Sequence, residues 1–396
     1  MRGSTSQVLR AIATYGPVSR AQLARDLALS GPTLTQATKF LLGRGLIAEL
    51  DQTPSTGGRP ATLLGLVADA GKVIGLKLSV DRVVGVCVNL ESQIEWGFEE
   101  AFESRGNQAI AQLTTLLKRQ TKKVKGQLLG IGIGIPGVVS PTDSSTADSI
   151  MLGWSNVNVG HEISESLSTP VLLENDVNTL AIAESLFGRG RDASNFLTVT
   201  LGRGIGLGIV INGELYSGSH GAGEIGHVTS ILNGPKCECG KEGCLEAVAS
   251  NPAIVAKAIK SGLLAHGSTM NGLLGLARKE PLFAEQCFKE PAELLGVALA
   301  NVINIFGPEL VLFAGEGVEA WELWEPWLKK SLATHVVSSM KKYTLEVDQW
   351  DDSKWALGAT ALILQASLGD SGVENPISRE VQQRLQVSPR TDRRVS

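Results

Sequence analysis

The stretch from Ser217 to Glu246, SGSHGAGEIGHVTSILNGPKCECGKEGCLE, constrains this chain more than any other. His227, Cys237, Cys239 and Cys244 fall within 18 residues of it, against five histidines and five cysteines in the whole chain. Zn²⁺ takes four N and S ligands in a closed tetrahedron, so this clustering predicts a Cys3His zinc site. Gly240 and Gly243 let so short a loop curl round a metal without Cβ clashes. The competing reading is a loop of free thiols, and three of five cysteines within eight positions argue against it. Glu224 stands three before His227 and Glu246 two after Cys244, so a bound metal would fix two carboxylates beside it. A closed tetrahedron leaves no open coordination position, so the metal is expected to shape a pocket and not to react. Carboxylates and an imidazole held round a pocket suit the hydroxyl groups of a sugar.

Length, composition and charge narrow the class. A chain of 396 residues holds two to three domains by the usual prior, and 43% hydrophobic with 19% charged residues is soluble, globular composition. No uninterrupted apolar run is long enough to span a bilayer. The N-terminal MRGSTSQVLR lacks an apolar signal core, and the odd cysteine count is clustered as ligands. Both features predict a cytoplasmic protein in a reducing compartment. The net charge of −4 is uneven: residues 1–60 carry seven Lys/Arg and three acids, leaving −8 on the remainder. A basic head on an acidic body points to a polyanionic partner for the head.

The head, residues 1–67, reads as three short helices followed by a strand pair. Val8, Leu9, Ile12 and Ala13 give one apolar face; Ser19 with Gln22 starts a second helix as a capping box, continued by Leu23 and Leu27. Ser30-Gly31-Pro32 opens a third, with Leu34, Ala37 and Leu41 as its buried stripe. Thr33, Thr35, Gln36 and Lys39 are left on the other side, small polar groups and a cation suited to the major groove of double-stranded operator DNA. Strands Leu46–Leu50 and Thr62–Val67 flank the tip Pro54-Ser55-Thr56-Gly57-Gly58-Arg59-Pro60, so the pattern is a winged helix-turn-helix. Arg59 is expected to enter the minor groove or clamp a phosphate. The alternative is a helical protein-interaction module with a hairpin.

Residues 72–368 alternate strands with helices, the pattern of α/β layers. Strands are expected at Val73–Leu78, Val83–Leu90, Ile94–Phe102, Leu128–Ile133, Val171–Leu173, Phe196–Leu201 and Ile209–Ile211. Helices are expected over Asn107–Thr121 and from Asn178 to Phe187, and Gly202–Gly208 as a glycine-rich loop. No internal repeat is visible, and residues 369–396 are expected to be a disordered tail.

Glu-x-Gly-His at 224–227, followed by Cys-x-Cys-Gly-x-x-Gly-Cys-x-Glu at 237–246, resembles the signature of the ROK family (repressors, ORFs and kinases). The head resembles the DNA-binding head of that family's regulators. The resemblance implies a winged helix-turn-helix followed by an actin-like, hexokinase-type ROK domain of two α/β lobes. It implies that Asp176 stands at the position of the kinase's general base. It places Gly137, Asn175, Asp176, Glu224, His227 and Glu246 at the sugar-binding positions.

The nucleotide half departs from the family pattern. Where family kinases read Asp-x-Gly-Gly-Thr-Lys, this chain reads Lys77-Leu78-Ser79-Val80-Asp81-Arg82, with a lysine in place of the acid that organises Mg²⁺. Leu-Gly-Thr-Gly becomes Leu201-Gly202-Arg203-Gly204, and a glycine triad near the adenine side becomes Ala314-Gly315-Glu316. Side chains at such positions block close approach of phosphate to backbone, and phosphoryl transfer rests on that positioning. The sequence therefore predicts a DNA-binding regulator, a repressor of carbohydrate genes. It would respond to a sugar or sugar derivative, hold a structural Zn²⁺, and act without kinase activity as a homodimer or dimer of dimers with no membrane partner. The alternatives are a sugar kinase with a divergent nucleotide site and a DNA-binding protein whose body only dimerises. Lys77 and Arg203 could also form an anion site admitting a phosphorylated sugar.

Overall fold

The computed structural model describes residues 3–50, 62–106, 108–348, 352–369 and 376–386. The chain forms two compact units, 1–191 with 352–396, and 192–351.

The first unit opens with α1 (Gly3–Tyr15), β1 (Val18–Ser19), α2 (Arg20–Asp26), α3 (Gly31–Gly43), β2 (Ile47–Leu50) and β3 (Leu63–Leu66). Val8, Leu9 and Ile12 of α1 pack with Leu34, Ala37 and Leu41 of α3, all buried. Both expected caps form: the Gln22 N–H donates to Ser19 Oγ at 3.2 Å and the Thr33 N–H to Ser30 Oγ at 3.3 Å. Each satisfies one of the orphan donors of a helix start. The strands pair antiparallel in the order β1-β3-β2, with Ile47 opposite Leu66. The Gly/Pro tip that joins β2 to β3, and Arg59 with it, lies outside the described residues.

The body of this unit continues with β4 (Lys72–Leu78), β5 (Arg82–Asn89), β6 (Ile94–Ala101), α4 (Ala109–Thr121) and β7 (Leu128–Ile135). Then follow β8 (Val138–Val139), β9 (Ala147–Ser149), β10 (Trp154–Val157), α5 (Val159–Leu167), β11 (Val171–Asn175) and α6 (Asp176–Phe187). Five strands order as β11-β7-β4-β5-β6; β11, β7 and β4 run parallel, and β4-β5-β6 is an antiparallel meander. Ile74, Leu76, Ile131, Ile133, Val171 and Leu173 bury one sheet face against Leu113 and Leu117 of α4 and Ile163 of α5.

The second unit holds β12 (Phe196–Leu201), β13 (Ile205–Ile211), β14 (Glu214–Leu215), α7 (Glu246–Ala249), α8 (Asn251–Lys260), α9 (Met270–Ala277), α10 (Pro281–Phe306), β15 (Leu310–Ala314), α11 (Trp321–His335) and β16 (Thr344–Val347). Its sheet order is β14-β13-β12-β15-β16, again a three-stranded antiparallel meander with two parallel strands beside its first strand. The topology of the first unit's sheet is thus repeated, although no sequence repeat announces it. Burial patterning alone specifies such strands, and many apolar sequences meet it. Val199, Leu207, Phe288, Leu295, Leu299, Phe313 and Trp324 form the core, with Phe288 and Trp324 edge to face at 5.6 Å.

The chain returns to the first unit as α12 (Asp352–Leu368) and α13 (Pro376–Gln386). Helix α12 lies against β4 and β7 and packs on α6. A Cβ on Gly132 would sit 1.9 Å from the Ala359 carbonyl oxygen, so only glycine lets this helix approach the sheet so closely.

Two expectations are corrected. Residues 376–386 form a helix, where the sequence suggested a disordered tail: Val381 and Leu385 are buried, and Arg384 donates to the Leu128 and Ser168 carbonyls. The sparse apolar residues, four apart, are enough for one buried stripe. The glycine-rich segment 202–208 is a loop only at Gly202-Arg203-Gly204, since Ile205 begins a strand paired back on Leu201. Alternation of Ile205, Leu207 and Ile209 was the period-2 signal, masked by the glycines between.

Candidate functional site

Four groups of residues bear on function, and each lies within one unit. In the second unit, the His227 ring nitrogen and the Cys237, Cys239 and Cys244 sulfurs lie within 4.8 Å of one another. Cys237 Sγ is 3.6 Å from His227 Nδ1, and Cys239 Sγ is 3.7 Å from Cys244 Sγ. A Zn²⁺ tetrahedron with ordinary bond lengths has S···S edges of about 3.8 Å and S···N edges of about 3.5 Å. The four groups therefore fit a tetrahedral metal as they stand and could hold a metal ion. Short bridges shape the loop: Thr229 pairs with Cys244 and Lys236 with Glu242. Gly243 has φ +73° and its position leaves 1.7 Å between an added Cβ and the Ile231 carbonyl, so glycine is required there. Burial pushes the Cys237 thiol up to about 12 and also raises Cys244. Cys239 is shifted down despite its desolvation, by hydrogen bonds from the Lys241 backbone and the two neighbouring thiols, so it is the thiolate of the cluster, and a bound cation would draw the other two into ionising.

The two neighbouring carboxylates are placed differently. Glu224 is exposed, with Oε2 3.8 Å from His227 Nε2, the nitrogen turned away from Cys237. Glu246 is half-buried, and its Oε2 accepts the Ile205 N–H at 3.0 Å, tying the cysteine loop to the start of β13.

In the first unit, β11 delivers Asn175 and Asp176 at the start of α6. Asn175 caps that helix, accepting from the Val177 and Asn178 N–H groups at 2.9 and 3.3 Å, while its Nδ2 donates to the Gly137 carbonyl at 2.9 Å. Gly137, Asn175 and Asp176 are thereby brought together. Glu174, on the preceding strand position, accepts from the Asn175 N–H and from Asn178 Nδ2; desolvation holds its carboxyl above the usual range despite them.

Asp176 is buried, and both its oxygens are engaged. Oδ1 accepts the Val177 N–H at 2.9 Å, and Oδ2 takes a salt bridge from Lys77 Nζ. The Lys77 ammonium also stands 4.2 Å from the centroid of the Trp355 ring on α12, a cation–π contact. Lys77 and Asp176 side chains are only 13% and 11% exposed. The sequence flagged Lys77 as out of place in a phosphate loop but paired it with Arg203 as an anion site. Its ammonium instead neutralises Asp176, because β4 and β11 flank β7 as parallel strands of the mixed sheet and bring the two side chains together. Trp355 carried no signal in the sequence.

In the second unit, the hairpin tip Gly202-Arg203-Gly204 is capped from outside. The Glu316 carboxylate accepts the Arg203 N–H at 2.7 Å, and a Cβ on Gly202 would come within 2.2 Å of that carboxylate. An internal anion thus occupies the Arg203 N–H and lies against Gly202. On the head, Thr35, Gln36 and Lys39 are exposed on α3 and Thr33 is half-buried; the two threonine hydroxyls bond locally, to Gly31 O and Ser30 Oγ.

A helix-turn-helix head and two α/β units with a repeated sheet make an actin-like, hexokinase-type body with an added N-terminal module. The ROK family model matches residues 74–366, and the chain belongs to the ROK family. It is 28% identical over 365 residues to the xylose repressor of Bacillus subtilis, covering 90% of this chain and 94% of that protein. It is 29% identical over 381 residues to the DNA-binding transcriptional dual regulator NagC of Escherichia coli, covering 92% and 93%. Among solved structures, a ROK family transcriptional regulator homologous to the E. coli MLC protein superposes with a TM-score of 0.81 at 25% identity, covering 96% of this chain and 98% of that one. A ROK family glucokinase from Streptomyces griseus shares the body fold, with a TM-score of 0.64 at 24% identity over 74% of this chain and 99% of that one. No helix among the described residues is long and apolar enough to cross a membrane.

Removing one member of a buried ion pair strands the other, at a cost of about 3–5 kcal/mol. Lys77→Met and Asp176→Asn should each lower stability in urea unfolding by about 3 kcal/mol. The double variant should recover most of that loss. Additive losses would show that the two charges do not hold each other.

Proposed function

We propose that this protein is a sugar-responsive transcriptional repressor that has left phosphoryl transfer behind. The observation that carries the reading is the Lys77 ammonium on Asp176. A general base must have a free lone pair facing the hydroxyl it deprotonates, and here one oxygen serves a backbone N–H and the other an ammonium. The Glu316 carboxylate on the Arg203 N–H supports it from the nucleotide side, since it would repel a phosphate approaching those donors. Relatives that match at least 90% of this chain are named as a xylose repressor and a DNA-binding transcriptional dual regulator, whereas the S. griseus glucokinase aligns with only 74% of it.

In this reading α3 lies in the major groove of double-stranded operator DNA with Gln36 and Lys39 towards the bases, and Thr33 and Thr35 fix its start. Arg59, outside the described residues, is proposed to enter the minor groove or clamp a phosphate. The first unit offers Gly137 and Asn175 to a sugar, and the second unit separately offers Glu224, His227 and Glu246, while Asp176 acts only as the partner of Lys77. The protein works in the cytoplasm as a homodimer or dimer of dimers, its two heads reading a pseudo-palindrome. The metal is Zn²⁺ on His227, Cys237, Cys239 and Cys244, where it holds the Glu224–His227 and Cys244–Glu246 segments in shape without exposing a coordination position.

The zinc assignment is tested by metal release: the purified protein should yield about one Zn²⁺ per chain. Cys239→Ser should yield far less and lose its response to sugar. Full zinc content in Cys239→Ser would refute the ligand set.

The DNA-binding assignment is tested by capturing sheared genomic DNA from the source organism and sequencing what binds. Palindromes beside carbohydrate genes are expected, with enrichment lost in Gln36→Ala/Lys39→Ala. No enrichment at low salt, where phosphate contacts are strongest, would sink the repressor reading.

A further inference from the structure

We propose that α6 and the contact between Tyr15 and Arg191 form a latch that couples the effector site to the DNA-reading head. The inference rests on the repressor reading above and concerns how that site is regulated.

Helix α6 starts at a residue assigned to the effector: Asn175 is its cap, and Asp176, the partner of Lys77, is its first residue. Twelve residues later it ends at Phe187, a run of about 18 Å at the usual rise. The chain beyond is welded to that helix end. The buried Glu184 carboxylate accepts the Arg189 N–H at 2.7 Å, and the Gly188 N–H donates to the Glu184 carbonyl at 3.1 Å. A Cβ on Gly188 would lie 2.1 Å from Glu184 Oε2, so the turn closes tightly on the carboxylate. A shift of the α6 start is therefore passed on to the segment that carries Arg191.

Arg191 is in turn the residue that touches the head. The Tyr15 hydroxyl donates to the Arg191 carbonyl at 3.3 Å, the Arg191 guanidinium faces the Tyr15 ring at 5.7 Å, and Arg191 Nη1 reaches the Thr14 carbonyl at 3.4 Å. Tyr15 is the last residue of α1, and α1 is packed on α3 through Val8, Leu9 and Ile12. The end of α1 cannot move without carrying the reading helix with it. Arg191 is also the last residue of the first unit before the chain passes into the second.

The head has other supports. Arg44, at the end of α3, donates to the Gln386 carbonyl at 2.6 Å, and Ser6 lies against Gly369. Those contacts run to the C-terminal helices, and α12 packs on α6 along its side, whereas the Tyr15–Arg191 contact lies at the end of α6. The Tyr15–Arg191 contact is solvent-exposed, with Tyr15 at 53%, so it is weak enough to open and close in the native state. An effector moves such an equilibrium by the difference in its affinity for the two states.

The test uses the full-length protein, the fragment most enriched in genomic capture, and xylose, glucose and N-acetylglucosamine as probes. Wild type should change its affinity for the fragment about tenfold or more with an active sugar. Arg191→Ala and Tyr15→Phe should reduce that change to less than about threefold, with the sugar's own affinity and the melting temperature kept. The double variant should lose no more than either single one, because both act on one contact. Arg20→Ala, which breaks a salt bridge to Glu49 inside the head, should respond as wild type. A full response in both latch variants overturns the proposal.

If wild type responds to no sugar or captures no fragment, the repressor reading fails instead, and the latch is judged by hydrogen exchange. Arg191→Ala must then speed exchange of the Ile12–Val18 amides relative to Arg20→Ala. Unchanged exchange overturns it.

Discussion

An ammonium group rests on the carboxylate of Asp176, and much else in this protein follows from that pairing. Lys77 arrives from β4, Asp176 from the end of β11, and Trp355 of α12 closes over the cation. A lone carboxylate in so buried a place would be costly to ionise, and Lys77 supplies the compensating charge from within the sheet. In the second unit a carboxylate, Glu316, is set on the Arg203 N–H at the tip of the Gly202–Gly204 hairpin. Phosphoryl transfer needs a free base, a bound cation and donors open to phosphate. This chain sets a cation, Lys77, on Asp176 and an anion, Glu316, on the Arg203 N–H, and the proposed loss of phosphoryl transfer rests on those two contacts.

The cysteine loop of the second unit depends on a different kind of constraint. Residues 217–245 contain little regular structure beyond one short turn and isolated bridges, so few backbone ladders hold them. The Glu246–Ile205 hydrogen bond supplies one cross-link, and the four ligand groups at tetrahedral spacing would supply the rest on holding a metal ion. His227 presents one ring nitrogen to Cys237 and the other to Glu224, the arrangement by which an outer carboxylate orients a ligating imidazole.

Much of this was legible in the residues because the signals were local. Ser19 and Ser30 announced their helix starts, the spacing of His227, Cys237, Cys239 and Cys244 announced their convergence, and Lys77 stood out as a wrong charge in a phosphate loop. The partner of Lys77 was not legible, since it lies 99 positions away and only the strand order β11-β7-β4 joins the two. Glu316 was noticed as a lost glycine, but its contact with Arg203 depends on a loop more than a hundred residues distant. The helix at 376–386 was missed because its composition is polar and its buried stripe is narrow. The repeated sheet topology leaves no trace in sequence, since it is carried by register and not by residue identity.

Titration calorimetry with a panel of sugars and, separately, with Mg²⁺ and ATP, followed by analysis for a phosphorylated product, tests the central claim most directly. The account predicts heat from at least one sugar, none from the nucleotide, and no phosphosugar. Nucleotide binding accompanied by turnover would contradict it, because Lys77 and Glu316 would then be leaving open the very groups they are argued to occupy.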